Sequence, residues 1–368
     1  MIQALAHYAV SGLIGFLALL TLLPFSRLPH GAVRVADFPR IQVFCLALIL
    51  ILAAPIALDG RSLTVALSSL LMIIGIQAAY ILRFTPLWVK QSLRATVEQS
   101  KAIDRRVSIL AVNIKKSNRH YSRLISLVEE INPDILILIE VDAAWLAGVS
   151  NLRVRYQTHF DHPLDNGYGM SVWSKLVLFE TELRELLVTD VPSLRTGVML
   201  RSGERVRLYV VHPEPPIPTQ GTEGRDGEIG LVGIEVQEDP LPAIVTGDLN
   251  DVAWSSTTRR FQRLSSLLDP RVGRGFYNTF DARNPIIRWP LDHLFHDAKF
   301  RLIEMRRLPH IGSDHFPIYF NLAMTGVPMA EEVPPDASEE DIAEIEELVE
   351  AEEKQTRDPI GANWEDET

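Results

Sequence analysis

The sequence predicts an α/β domain carried on membrane-spanning helices, and three observations predict it. Long charge-free runs fill the N-terminal region, short β-branched runs alternate with helical stretches from residue 107, and carboxylates dominate the C-terminal end. The chain of 368 residues is 47% hydrophobic and 23% charged, which is too apolar for disorder throughout and too long for one small domain. Its net charge of −11 is uneven: residues 1–106 carry +6, residues 107–325 carry −3 and residues 326–368 carry −14. The single cysteine, Cys45, excludes an intrachain disulfide and a Cys-rich zinc site.

No charged side chain precedes Arg27, none lies between Arg40 and Asp59, and none lies between Arg61 and Arg83. A spanning helix needs roughly 20 apolar residues, and charge at its centre is costly. Three transmembrane helices are therefore expected near 6–25, 41–58 and 62–82, within a membrane region 1–83. A cleaved signal peptide is the alternative for the first, but it lacks a basic leading segment. Arg27, Arg34, Arg40, Arg83, Lys90 and Arg94 fall on one side and Arg61 on the other, which favours a cytoplasmic C-terminal side. Residues 84–106 read as a basic juxtamembrane segment, either a helix on anionic headgroups or a plain linker.

Residues 107–112 predict a strand ending at Asn113, 121–130 an amphipathic helix, and 135–139 a buried strand ending at Glu140. The crossover makes these strands parallel, so Asn113 and Glu140 leave the sheet at one edge. Strand 206–211 ends at His212, and strand 243–246 ends at Gly247-Asp248-Leu249-Asn250. Asp292 and the pair Asp314-His315 stand at strand starts. If those strands run antiparallel to the others, eight polar side chains gather on one rim. Singly, each has an ordinary explanation as a turn former or a solvated group; their coincidence at equivalent strand ends carries the weight.

This set suits water attack on a phosphorus ester. Glu140 is a hard oxygen ligand for magnesium, with manganese as the alternative. Asp248 can orient and deprotonate the nucleophile, and Asn250, two residues on along extended backbone, can donate its amide to the phosphate. His315 can donate as imidazolium if a carboxylate, Asp292, fixes it. The chain has no HExxH, no GxSxG and no GxxxxGK[ST] motif, so zinc proteolysis, serine hydrolysis and P-loop chemistry are unsupported.

The segments VNI at 112–114, LIEVD at 138–142, VVHPEPP at 210–216, GDLNDVAWS at 247–255, PLDHLF at 290–295 and GSDHFPI at 312–318 resemble the endonuclease/exonuclease/phosphatase superfamily. That superfamily includes pancreatic deoxyribonuclease, exonuclease III, inositol polyphosphate 5-phosphatases and neutral sphingomyelinases. The resemblance covers about 107–323, and DFPR at 37–40 is similar to a bacterial membrane-anchored branch. It implies a four-layer α/β/β/α sandwich of two mixed sheets over 107–325. It also implies that Glu140 holds the metal, Asn113 supports metal or phosphate and Asp314 serves the metal side. Asp248 and Asn250 would position the water, Asp292 would pair with His315, and His212 would match a histidine of the deoxyribonuclease and sphingomyelinase branches. A carboxylate partner for His212 is not evident; Asp161 and Asp165 are the candidates.

Substrate class stays open between nucleic acid and a lipid or inositol phosphate. A duplex-binding domain is usually basic, yet 107–325 is not. One basic patch, Arg259, Arg260, Arg263, Arg271 and Arg274, follows the GDLN motif and suits either a solvated helix face or a lipid headgroup. Residues 326–368, with sixteen acidic and two basic residues, are expected to be mostly disordered. Ser338 and Asp341 resemble a capping box opening one short helix, available to a protein partner or to the arginine patch. The competing function is a catalytically degenerate membrane scaffold whose tail recruits partners.

Overall fold

A computed structural model describes residues 1–362. Its N-terminal part is a bundle of α1 (Ile2–Leu22), α2 (Arg40–Ala57) and α3 (Gly60–Ile81), close to the expected helices. With short continuations these give three helices long and apolar enough to cross a membrane, Gln3–Phe25, Arg40–Ala57 and Gly60–Phe84. Only 22–28% of each apolar window is buried, so most side chains point outward, Leu52 and Ile56 among them. Apolar surface on that scale is consistent with association with a membrane. Leu17, Ala47, Ala54, Leu70 and Ile73 close the seam between the helices. At the end nearest the soluble domain the seam turns polar: Arg40 pairs with Asp37 and donates to Gln77, which donates to Thr21 at 2.9 Å.

The soluble part contains strands β1 (Arg106–Asn113), β2 (Ile135–Ile139), β3 (Thr158–His162), β4 (Met170–Ser174), β5 (Val177–Glu185), β6 (Pro192–Met199), β7 (Arg205–Val211), β8 (Ala243–Asp248), β9 (Asp292–His296), β10 (Phe300–Arg307) and β11 (Ile318–Met324). Among the described residues they form two mixed sheets, β10-β11-β1-β2-β4-β3 and β5-β6-β7-β8-β9. Alternation along each strand sorts its side chains into two layers. Ile109 and Ala111 of β1 meet Leu208 and Val210 of β7 in the core between the sheets. Leu110 and Val112 face outward against Leu124 and Val128 of α4 (Tyr121–Ile131). On the other flank, α5 (Glu223–Glu238) and α6 (Ser256–Ser265) cover Tyr209, Val245 and Phe295. The four-layer α/β/β/α sandwich is present, and β9 and β11 run antiparallel to β8 and β1.

Three segments depart from expectation. The stretch 84–106 is neither a loose linker nor a headgroup helix: Leu93 and Ala95 bond to Leu302 on the edge of β10, and Gln91 and Ser92 are fully buried. Edge strands need such covering. The loop between α1 and α2 inserts into the soluble domain, where Gly31 sits so close to Ile217 that a Cβ would meet its carbonyl oxygen at 1.7 Å. Finally, the acidic segment, expected to be mostly disordered, forms α7 (Glu339–Glu353), opened by the Ser338/Asp341 capping box and packed on α5 and α6 through Ile345 and Leu348. Arg263 pairs with Asp341, and Arg260 pairs with Glu344. Arg271 is spent on Asp269, Arg274 bonds to Ser92, and Arg259 stacks on Tyr80. The basic patch is thus consumed inside the protein, because paired charges lower the cost of ordering a carboxylate-rich segment.

The inserted loop is fixed by charge. Arg34, 2% exposed, bonds to Asp226 at 2.7 Å, and Asp226 also receives Arg225, Thr222 and Thr257. Asp226 is held well below the ordinary carboxylate range; burial opposes this, but Arg225 and Arg34 outweigh it. Removing the carboxylate strands two buried guanidinium groups. Asp226→Ala is expected to lose about 3–5 kcal/mol of stability, read as a drop in the thermal unfolding midpoint of the purified full chain. An unchanged midpoint would show that the loop is held by other contacts.

Candidate active site

The rim forms because the strand register leaves no choice. Asn113 lies opposite Ile139, which puts it beside Glu140; Val211 lies opposite Gly247, which puts His212 beside Asp248. A Cβ on Gly247 would meet the Val211 carbonyl oxygen at 1.9 Å, so only glycine fits there. Asp248 lies opposite Asp292 across the antiparallel pair. The two sheets then meet edge to edge: Asn113 Nδ2 donates to Glu140 Oε1 at 2.7 Å in its own sheet and to Asp248 Oδ2 at 3.0 Å in the other.

His315 closes the array. Its Nδ1 is 2.8 Å from Asp292 Oδ2, and its Nε2 is 3.4 Å from Asp248 Oδ2. Burial opposes a charge on this ring, but Asp292 and Asp248 prevail and lift it to about 10, so it is an imidazolium at neutral pH. His212 is the opposite case: burial pushes it down to about 4, and its Nδ1 has no hydrogen-bond partner among the described residues. Neither Asp161 nor Asp165 reaches it. Asp161 is taken by Arg153, Ser171 and Trp173, and Tyr168 packs on the His212 ring with centroids 5.2 Å apart.

Glu140 and Asn250 have backbone φ of 65° and 50°, the left-handed region that side chains with a Cβ seldom adopt. Such outliers cluster at functional sites, at a cost of order 1–3 kcal/mol. For Asn250 the finding corrects the expected extended geometry. Its amide donates to the Pro213 carbonyl at 2.9 Å and its backbone N–H to Asp248, so one amide hydrogen remains to face the cavity. Asn113 is likewise committed, accepting from the Lys115 backbone through Oδ1. It spaces Glu140 from Asp248 through its Nδ2 hydrogens. Asp314 pairs with Lys115 at 2.8 Å and sits below the ordinary carboxylate range; burial opposes this, while His315 and Lys115 favour it.

A cavity of about 400 Å³ opens onto this rim. Glu140, His212, Asp248, Asn250, Asp314 and His315 line it, while Asn113 and Asp292 stand behind as supports. Burial, then Asp314, pushes the Glu140 carboxyl up to about 8. A carboxylate starved of counter-charge among other carboxylates is what a hard divalent cation stabilises, so this donor set fits one. Asp248, Asp292 and His315 also lie within 4.8 Å of one another. A cation there would have to displace the proton that His315 holds between its two carboxylates, so the Glu140 side is the better fit.

Several lining residues escaped the sequence reading. Lys115 follows the VNI segment directly, and Phe38 belongs to the DFPR motif, so both had a signal. Phe38 joins Phe84, Trp254 and Leu291 in a cluster that also receives Ile41 and Tyr80, which ties the helix ends to the cavity wall. Ile360, Gly361 and Ala362 line the cavity from the C-terminal segment, and no motif announces them. They are held by Arg357, bidentate to Glu214 at 2.6 Å for each bond, and by the Ile360 N–H, which donates to the same carboxylate at 2.7 Å.

The sequence profile described as the Endonuclease/Exonuclease/phosphatase family matches residues 110–315. The chain belongs to that family. The family's metal-dependent phosphoesterase chemistry is in keeping with the carboxylate and histidine set at the rim. No curated protein matches the chain in sequence. Among solved structures, D. rerio TDP2 humanised by 14 mutations is 18% identical, covers 60% of this chain and 100% of that one, and has a TM-score of 0.51. D. rerio TDP2 complexed with a single-strand DNA product is 19% identical with the same coverage and a TM-score of 0.51. These likenesses show the shared fold.

Near Glu214 lies a second carboxyl, Glu228, 1% exposed, whose Oε1 has no hydrogen-bond partner among the described residues. Burial, then Glu214, pushes it from 4.5 up to about 8. A raised acid favours the folded state below its unfolded value, and that contribution is lost as pH climbs toward 8. Glu228→Gln should therefore remove part of the decline between pH 4.5 and 8. Thermal melts of both proteins across that range check this; a constant difference in midpoint would contradict it.

Proposed function

We propose that this chain is a membrane-anchored, divalent-metal-dependent phosphoesterase that hydrolyses a phosphodiester or phosphomonoester by attack of water. One observation carries the reading: at the wall of one cavity Glu140, Asp248 and His315 come together, with Asn113 behind bridging Glu140 and Asp248, and Asp292 behind holding a charged His315. Asp248 orients the attacking water. His315 donates from Nε2 to a phosphoryl oxygen, and Asp292 fixes the ring and keeps it charged. Asn250 offers its remaining amide hydrogen, and neutral His212 offers a further hydrogen-bonding group. Glu140, with Asp314 beside it and Asn113 behind, would hold magnesium or manganese. When bound, the ion supplies charge neutralisation at the phosphoryl and leaving oxygens. D. rerio TDP2, which was solved with a single-strand DNA product, shares the fold and is consistent with phosphoester chemistry.

The helices α1 to α3 anchor this domain in a bacterial plasma membrane, and the positive bias of the flanking segments favours a cytoplasmic face. The nearness of Phe38 to α2 keeps the cavity close to the bilayer surface.

The test uses the purified full chain with magnesium or manganese and a generic chromogenic phosphodiester. Asp248→Ala and His315→Ala are each expected to cut metal-dependent turnover by about 10²–10⁴-fold. Glu140→Gln should raise the metal concentration for half-maximal activity about 10-fold or more. Equal, metal-independent background in all four proteins would leave a scaffold, with the acidic tail as a partner-binding element. A C-terminal reporter active only outside the cytoplasm would reverse the orientation.

A further inference from the structure

We propose that the C-terminal segment is a specificity element that restricts this site to compact or chain-terminal phosphoesters and denies it to a continuous nucleic-acid strand. The inference rests on the phosphoesterase reading and adds the substrate class. Two separate contacts of the same segment carry it. Residues 360–362 form part of the cavity wall, so a strand passing through the cavity on that side would meet them. A strand-tracking site also needs a positive groove for the backbone phosphates. The arginine cluster beside the GDLN motif is the natural source of that charge, yet α7 takes it: Asp341 pairs with Arg263, and Glu344 pairs with Arg260. The C-terminal segment thus lines the cavity with residues 360–362 and pairs two arginines of the helix that follows the GDLN motif.

The wall is fastened to the catalytic loop. Glu214, 1% exposed and two residues beyond His212, accepts both Arg357 nitrogens and the Ile360 N–H. Tyr168, which packs on His212, donates its hydroxyl to the Ile360 carbonyl. Arg357 does not line the cavity and acts through the wall that it holds, so it is a positioning residue.

The experiment compares the full chain, Arg357→Ala, Arg357→Lys and a variant ending at Lys354, each with magnesium. Substrates are bis-p-nitrophenyl phosphate and a circular single-stranded DNA, which offers no ends. The full chain should hydrolyse the small diester and leave the circle intact. Arg357→Ala and the shortened chain should raise the ratio of circle cleavage to diester hydrolysis at least 10-fold, and Arg357→Lys should return it toward the parent value. A ratio unmoved in the shortened chain, with the diester still hydrolysed, overturns this inference and leaves the phosphoesterase reading standing. Rapid cleavage of the circle by the full chain overturns it too. Absence of diester hydrolysis in every protein removes both.

Discussion

The architecture depends on keeping carboxylates together at the meeting edges of two sheets. Glu140, Asp248, Asp292 and Asp314 all reach that edge, and like charges in a partly desolvated space repel one another. The charge on His315, placed between Asp292 and Asp248, is the internal counterweight. Asn113 adds two hydrogen bonds from one amide and so fixes the separation of Glu140 and Asp248. What this leaves uncompensated is Glu140, whose carboxyl burial and Asp314 push up to about 8. The rim is thus asymmetric, with a protonated ring between two carboxylates on one half and a carboxyl without a counter-charge on the other.

The three apolar helices and the α/β domain share one cluster of aromatic and aliphatic side chains, with Phe38 and Phe84 from the helix ends meeting Trp254 and Leu291 from the loops around the cavity. A buried ion network through Arg34, Asp226 and Arg225 reinforces the junction. Charges buried at such a junction fix its geometry, because any displacement leaves one of them unpaired. The position of the cavity relative to the three helices therefore belongs to the fold rather than to a flexible tether.

The acidic C-terminal segment shows how composition misleads when a partner surface lies elsewhere in the chain. Sixteen carboxylates in 326–368 argue against a packed unit, and in isolation that argument holds. Here Ile345 and Leu348 find an apolar surface with Leu264, while Asp341 and Glu344 find arginines on α6. Local spacing did reveal the Ser338 cap and one short helix after it. The docking surface was invisible, since Arg260 and Arg263 belong to a helix some 80 residues earlier.

The amino-acid sequence by itself determined the three charge-free helices, the alternating strands, and the placing of Asn113, Glu140, His212, Asp248, Asp292 and His315 at strand ends. These follow from local rules: hydropathy over a span, period-two burial, and the handedness of crossovers. Tertiary structure alone decided which oxygen meets which nitrogen. It turned Asn250 into the left-handed conformation, bonded Asn113 to two carboxylates, left His212 without a carboxylate partner among the described residues, and brought Ile360 and Phe38 to the cavity from opposite ends of the chain. Those outcomes depend on distances between segments far apart in sequence, and the burial and charge that set each proton's position exist only after those segments have met.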